Sequence, residues 1–263
     1  MSAEDKNIVD VICIKWGTWY TAEYVNKLKR MVKRNTSYEV AFHCFTEIAE
    51  GLDSDVIVHP LPVMHMDMAD CKGAFIKEAG LCDDTLGGLT GKRVFYFDLD
   101  SLIVGTLDDL FAYPRGDGFY IVRDWAHPQG NVGQASLYSW RVGTLGHIKT
   151  FFEQNAKAMF KKYGSASQEY LSDKVVEKFG ALNFFPENWI CSFRFHCLPL
   201  GILRWFVAPR IPNWKGLKMV AFHGLPKMSD AIIGVWPIFK RRDGWKKIYK
   251  HVKPTPWIVE HWR

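Results

Sequence analysis

Short apolar runs, each separated from the next by a polar or helically patterned stretch, dominate the first hundred residues. They are Val9-Asp10-Val11-Ile12-Cys13-Ile14, Val40-Ala41-Phe42-His43-Cys44-Phe45, Asp55-Val56-Ile57-Val58 and Val94-Phe95-Tyr96-Phe97. Runs of this length bounded by turn residues read as buried strands. Between the first two, Tyr20 to Arg34 sets Tyr24, Leu28, Met31 and Val32 at helical spacing with Lys and Arg opposite, and 74–81 reads as a second helix. The order strand, helix, strand, strand, helix, strand predicts an α/β chain with a mixed, mainly parallel central sheet flanked by helices. A further strand is expected over 119–122, with helices over 148–163 and 169–179. From Asn183 the pattern loosens into short apolar runs, Pro and Trp. No repeat, low-complexity segment or linker divides the chain.

Apolar residues at 48% and charged residues at 24% exclude a wholly disordered chain. Lys and Arg exceed Asp and Glu by 34 − 28 = 6, which suits an anionic partner: nucleotide phosphate, an anionic membrane surface or nucleic acid. Cys13, Cys44, Cys71, Cys82, Cys191 and Cys197 form no CxxC pair or zinc-like spacing and read as reduced thiols. No apolar run approaches the roughly 20 residues of a spanning helix. The stretch from Ile8 to Ile14 is short, broken by Asp10, and fails as a signal peptide. A cytoplasmic protein, at most peripheral to the inner face of a membrane, is expected.

The most informative segment is Val94-Phe95-Tyr96-Phe97-Asp98-Leu99-Asp100-Ser101-Leu102-Ile103-Val104. Strand alternation would turn Asp98 and Asp100 to one face. Two carboxylates beside an apolar run repel each other and are costly to dehydrate, and a divalent cation resolves the conflict. Oxygen donors suit Mg²⁺ or Mn²⁺, and strand ends in open α/β sheets are where ligands bind. The plainer reading is an Asp-x-Asp turn. Two chemistries use such a pair. A haloacid-dehalogenase-like phosphatase would take Asp98 as nucleophile and Asp100 as acid/base, but Ser101-Leu102 stand where that family has Gly-Thr. Glycosyl transfer from a nucleotide-sugar would use the pair to hold a metal on the diphosphate.

The segment from Lys92 to Phe111, together with Val220-Ala221-Phe222-His223-Gly224-Leu225-Pro226-Lys227, resembles the two metal-side signatures of GT-A-fold glycosyltransferases. The likeness is to the family 8-like group of glycogenin and lipopolysaccharide galactosyltransferases. It implies one GT-A-like domain over 1–263, with 192–263 a basic, aromatic-rich region completing the site. By this resemblance Asp98, Asp100 and His223 would hold Mn²⁺ or Mg²⁺, and Gly224 and Lys227 would contact the diphosphate of a UDP-sugar donor. Lys15 and Tyr20 fall in the loop that holds the base, with Tyr20 the candidate to stack on uracil; ordinary packing at a helix start is the plainer reading of Tyr20. Lys77 matches a cation that reaches the donor, with Lys72 as its alternative. Asp124 matches an acceptor-side Asp. Gln168 is the candidate beneath the anomeric carbon. Ser167 stands where the family has Asp, and Glu169 could supply the missing carboxylate. Gly133-Gln134-Ala135-Ser136 replaces an Asn-Ser stretch. The implied reaction moves a hexose to a glycan or glycolipid acceptor with retention, while an inverting variant would use Asp124 or Glu169 as base.

Residues 240–253 carry seven Lys/Arg and one Asp, with Trp245, Ile248, Tyr249 and Val252 on one helical stripe. That composition fits a helix on an anionic membrane, joined by Leu198 to Phe206; contact with nucleic acid is the lesser reading and a solvated helix the plainest. A non-catalytic sugar-nucleotide binding protein is the alternative outside enzymes.

Overall fold

The computed structural model describes residues 8–66, 77–238 and 250–263. The expected helix over 74–81 therefore lies partly outside the described residues, as does most of the basic stretch 240–253, and Cys71 and Lys72 lie wholly outside them. Two compact units emerge. The first comprises Met1–Asn26, Ser37–Leu99 and Asp108–Phe185; the second comprises Lys27–Thr36, Asp100–Leu107 and Pro186–Arg263.

The first unit is built on a seven-stranded sheet in the order β3-β2-β1-β4-β7-β6-β8. Its strands are β1 (Ile8–Lys15), β2 (Glu39–Thr46), β3 (Ile57–His59), β4 (Arg93–Phe97), β6 (Tyr120–Arg123), β7 (Gly133–Arg141) and β8 (Asn183–Phe184). Neighbours pair parallel except where β7 meets β4 and β6, so the sheet is mixed and mainly parallel, as the sequence predicts. All but the first residue of β1 are buried, which is why its apolar run is nearly continuous rather than alternating. Helices α3 (Gly146–Tyr163) and α4 (Ser167–Phe179) belong to this unit. They bury Ile148, Phe152, Tyr170, Leu171 and Val175 in a core shared with Tyr96, Tyr138 and Trp140 of β4 and β7. The rings of Tyr96 and Tyr138 stack at 4.6 Å, and those of Tyr138 and Trp140 at 5.1 Å.

Strand β7 is not legible in the sequence. Its first four residues, Gly133 to Ser136, carry no large apolar side chain, yet all are buried. Gly133 is required by close approach: a Cβ there would stand 2.4 Å from Ile121 Cδ1. The short helices α2 (Asp108–Ala112) and, in the second unit, α5 (Met228–Ile233) and α6 (Trp257–His261) complete the described helices with α1 (Ala22–Arg34). Among the described residues no helix is long and apolar enough to cross a membrane.

The second unit holds a three-stranded sheet, β5-β10-β9, formed by β5 (Ser101–Ile103), β9 (Ile190–Ser192) and β10 (Met219–Ala221). Strand β10 runs antiparallel to β5 and parallel to β9. A single π-helical turn, Phe193–Cys197, follows β9 directly. Helix α6 is tied to the second half of α1, where the Arg34 guanidinium donates to the carbonyls of His261 and Arg263, and Lys27 Nζ lies 3.9 Å from the Trp262 ring centre.

Candidate active site

In the first unit the parallel strands β1, β2 and β4 end along one edge, with Lys15 paired to Thr46 and Ile12 to Tyr96. Strand β4 stops at Phe97, so Asp98, Leu99 and Asp100 form the turn between β4 and β5. The strand alternation expected to align the two carboxylates therefore does not reach them. Asp98 is instead oriented by its own contacts. Its N–H donates to the Ser136 carbonyl at 2.9 Å, and its Oδ1 accepts from the Tyr96 hydroxyl at 3.2 Å and the Leu99 N–H at 3.0 Å.

The other Asp98 oxygen, Oδ2, lies 3.0 Å from Lys77 Nζ, and the same ammonium lies 3.0 Å from Glu78 Oε1. Burial by itself would favour the neutral amine, but the charges of Asp98 and Glu78 outweigh it and hold the Lys77 pKa above the ordinary lysine range. Glu78 is 2% exposed at its side chain. Burial raises its pKa, with Lys77 and the nearby Ser167 hydroxyl partly offsetting the rise and Asp98 adding to it. Burial, then the charge of Asp98, pushes the Tyr96 phenol up as well.

This cluster opens onto a cavity of about 370 Å³ lined by residues that include Trp16, Lys77, Glu78, Ser167, Gln168 and Glu169. Gln168 is placed by β7: its Oε1 is 3.5 Å from the Ala135 N–H, while Ser172 Oγ accepts from the Gly133 N–H at 2.9 Å and donates to the Gln168 carbonyl at 2.7 Å. The Gly133 to Ser136 stretch thus meets the start of α4, whose Ser167 and Gln168 line the cavity. Trp16 and Glu78 are cavity residues that sequence reading missed. Trp16 adjoins Lys15, and the loop after it is fixed by the Gly17 N–H donating to Glu47 Oε1 at 2.5 Å.

Lys15 is buried at the end of β1, and Tyr20 rests edge-on against Tyr24 at 5.0 Å. Asp124 is buried, lies 2.9 Å from His127 Nδ1 and does not line the cavity.

In the second unit the carbonyl of buried Asp100 accepts from the Phe222 N–H at 3.0 Å, directly beyond the Ser101–Ala221 pair of β5 and β10. Asp100 and His223 therefore leave the same end of one strand pair. His223 Nε2 shares a 2.7 Å hydrogen bond with Ser192 Oγ, and its ring stacks on Phe195 at 5.9 Å. Gly224 has φ +80°, and a Cβ there would stand 3.7 Å from the Arg194 guanidinium. Lys227 begins α5, its N–H donating to Asp230 Oδ2 at 3.0 Å. Arg194 is a cation beside Gly224 that no sequence spacing announced, because it sits on the π-turn.

Among the described residues no group of three or more His, Cys, Asp or Glu side chains stands ready to hold a metal ion. The donor chemistry nevertheless fits one. Asp98 is paired with a cation, the Lys77 ammonium, and carboxylate and imidazole are donor types that suit Mn²⁺ or Mg²⁺.

No protein-family model matches the sequence, and no curated protein matches it. Solved structures do match. The galactosyltransferase LgtC, in complex with donor and acceptor sugar analogs, superposes with TM-score 0.56 at 13% identity over 84% of this chain and 89% of that one. LgtC also matches as an active-site glutamine-to-glutamate mutant. The bifunctional glycosyltransferase WbbM matches with TM-score 0.53 at 12% identity over 87% of this chain and 48% of that one. GlyE of Streptococcus pneumoniae TIGR4 matches with TM-score 0.52 at 12% identity over 84% and 55%. The chain has the GT-A-like α/β fold of these glycosyltransferases.

Proposed function

We propose that the protein transfers a hexose from a UDP-sugar to a glycan or glycolipid acceptor. The observation that carries this reading is the Lys77–Asp98–Glu78 cluster opening onto a cavity with Gln168 and Glu169, in a glycosyltransferase fold. The reaction breaks the bond between the sugar's anomeric carbon and the β-phosphate oxygen, so negative charge grows on the departing diphosphate. Preorganised cations stabilise that charge without reorganising at the moment of reaction. Lys77 is the cation of the cavity that we assign to it, and by the family resemblance Gly224 and Lys227 would contact the diphosphate. By the same resemblance, Asp98, Asp100 and His223 would hold a Mn²⁺ or Mg²⁺ ion, which would supply Lewis-acid stabilisation of the leaving group.

Gln168 and Glu169 line the sugar side of the cavity, and we assign Gln168 to the anomeric face. The LgtC structure with an altered active-site glutamine supports giving a glutamine this place. Ser167 does not leave the site short of a carboxylate, because Glu78 lines the same cavity. Glu78 and Glu169 would both receive sugar hydroxyls. Trp16 offers an aromatic wall, and Lys15 and Tyr20 border the base. Retention follows from the family likeness; with inversion, Glu169 or Asp124 would take the acceptor proton.

UDP release from a panel of UDP-sugars, with and without Mn²⁺, tests the reading. Asp98→Asn and His223→Ala should each weaken metal-dependent UDP binding at least tenfold, the usual cost of disturbing a metal's coordination. Unchanged binding in both variants removes the site assignment. Metal-dependent UDP binding with no turnover on any donor would favour a binding protein, and hydrolysis of an aryl phosphate would favour the phosphatase.

A further inference from the structure

The second unit presents a concentration of exposed apolar side chains that the proposed chemistry does not use. In the loop after the π-turn, Leu200 is 79% exposed, Ile202 73% and Phe206 71%, with Phe195 and Leu203 half exposed beside them. The loop is not loosely attached. Its neck is closed by the Arg210 N–H donating to the Cys197 carbonyl at 3.1 Å, and its interior holds a 3₁₀ turn, Gly201–Trp205. Arg204 Nε donates to the Pro199 carbonyl at 2.9 Å. Trp205 stacks flat on His251 at 4.0 Å, and Trp257 Nε1 donates to the Pro209 carbonyl at 2.9 Å. The fold therefore holds these apolar tips outward rather than letting them collapse.

The charged side chains of this stretch have one sign. Between Glu187 and Asp230 the sequence contains no Asp or Glu, while Arg194, Arg204, Arg210, Lys215, Lys218 and Lys227 all fall in that interval. Arg210 and Lys215 are exposed. Arg194 lies close enough to Arg204 to disfavour the second positive charge there, after the larger effect of burial. Apolar side chains projecting beyond a cationic rim match the two layers of an anionic bilayer surface, acyl boundary and headgroup. A folded protein partner would have to offer an apolar pocket ringed by acids; a bilayer offers both over its whole face.

We propose that the 195–210 loop is a membrane-docking surface that inserts Leu200, Ile202 and Phe206 into the boundary of an anionic bilayer, with Arg210 and Lys215 at the headgroups. The inference stands independently of the sugar-transfer reading, and its test does not use activity. The full chain is co-sedimented with phosphatidylcholine vesicles containing about one third phosphatidylglycerol, and with pure phosphatidylcholine vesicles, at low and high salt. Binding to the anionic vesicles should fall about tenfold or more in Leu200→Ser/Ile202→Ser/Phe206→Ser. In Arg210→Glu/Lys215→Glu it should fall by a similar factor and lose most of its salt dependence. All five positions are exposed, and circular dichroism with size-exclusion chromatography checks that both variants stay folded. No binding to anionic vesicles at low salt overturns the proposal. So does binding unchanged in the triple variant, which would place membrane contact elsewhere on the chain. Self-association that the triple variant abolishes, without vesicle binding, overturns it in favour of an interface between copies.

Discussion

Lys77 is a charge that the interior keeps only because two carboxylates meet it. Removing one member of a buried ion-pair group leaves the others uncompensated, a cost of about 3–5 kcal/mol. Lys77→Met should destabilise the fold by that order, read as a lower urea midpoint at unchanged slope. Adding Glu78→Gln, which discharges the more deeply buried partner, should recover a substantial part of the loss. A Lys77→Met variant as stable as the parent would show that the ammonium is not the group neutralising Asp98 and Glu78. Little of this was legible in the chain. Lys77 and Asp98 are recognisable individually, but Glu78 and Ser167 enter only because the fold brings both to one cavity. Residues 77, 98 and 167 have no local pattern that joins them.

At the scale of elements, the loop before the 3₁₀ turn Leu86–Gly88 is fastened to α3 by one carboxylate. Asp83 Oδ1 accepts from the Thr85 hydroxyl and from the Thr85 and Leu86 N–H groups, and its Oδ2 lies 3.2 Å from Lys149 Nζ. Partial burial would raise its pKa, but these donors outweigh it and lower the value to about 2 from an ordinary 3.8. A depressed carboxylate stabilises the fold above its unfolded pKa and loses that contribution as the pH falls. The window is thus between about pH 4 and pH 2, with an upper limit of about 2 kcal/mol. Asp83→Asn should be less stable at pH 7 by about 1–2 kcal/mol and show a flatter stability profile across that window, measured by urea unfolding at several pH values. Strand β7 supplies a second test. Gly133→Ala should cost about 1–3 kcal/mol through overpacking against Ile121, and Ile121→Val should recover part of it. Strands β1, β2 and β4 were readable because apolar side chains fill both faces; β7 was hidden because its buried opening residues are small or polar.

Across the whole molecule, the second unit joins chain segments far apart in sequence. Arg34 reaches the carbonyl of Arg263 over a separation of 229 residues, and buried Trp262 sits beneath Lys27. Trp262→Ala should cost about 3 kcal/mol, and deletion of 257–263 more, because it also removes buried Ile258 and the acceptors of Arg34. Thermal unfolding of both variants checks the order. Tm values equal to the parent would show that α6 contributes nothing to the unit.

The sequence by itself determined the parallel strands, the long helices and the Asp98–Asp100 and His223–Lys227 segments, because each is written in neighbouring residues: apolar period, turn chemistry or a short motif. Only the tertiary structure decided that β7 enters the sheet, that Asp98 takes Lys77 as its partner, and that Arg194 stands beside Gly224. It also decided that Leu200, Ile202 and Phe206 face outward. The physical reason is common to all four. Burial, charge pairing and exposure depend on what the rest of the chain brings alongside a residue, and no local period encodes that.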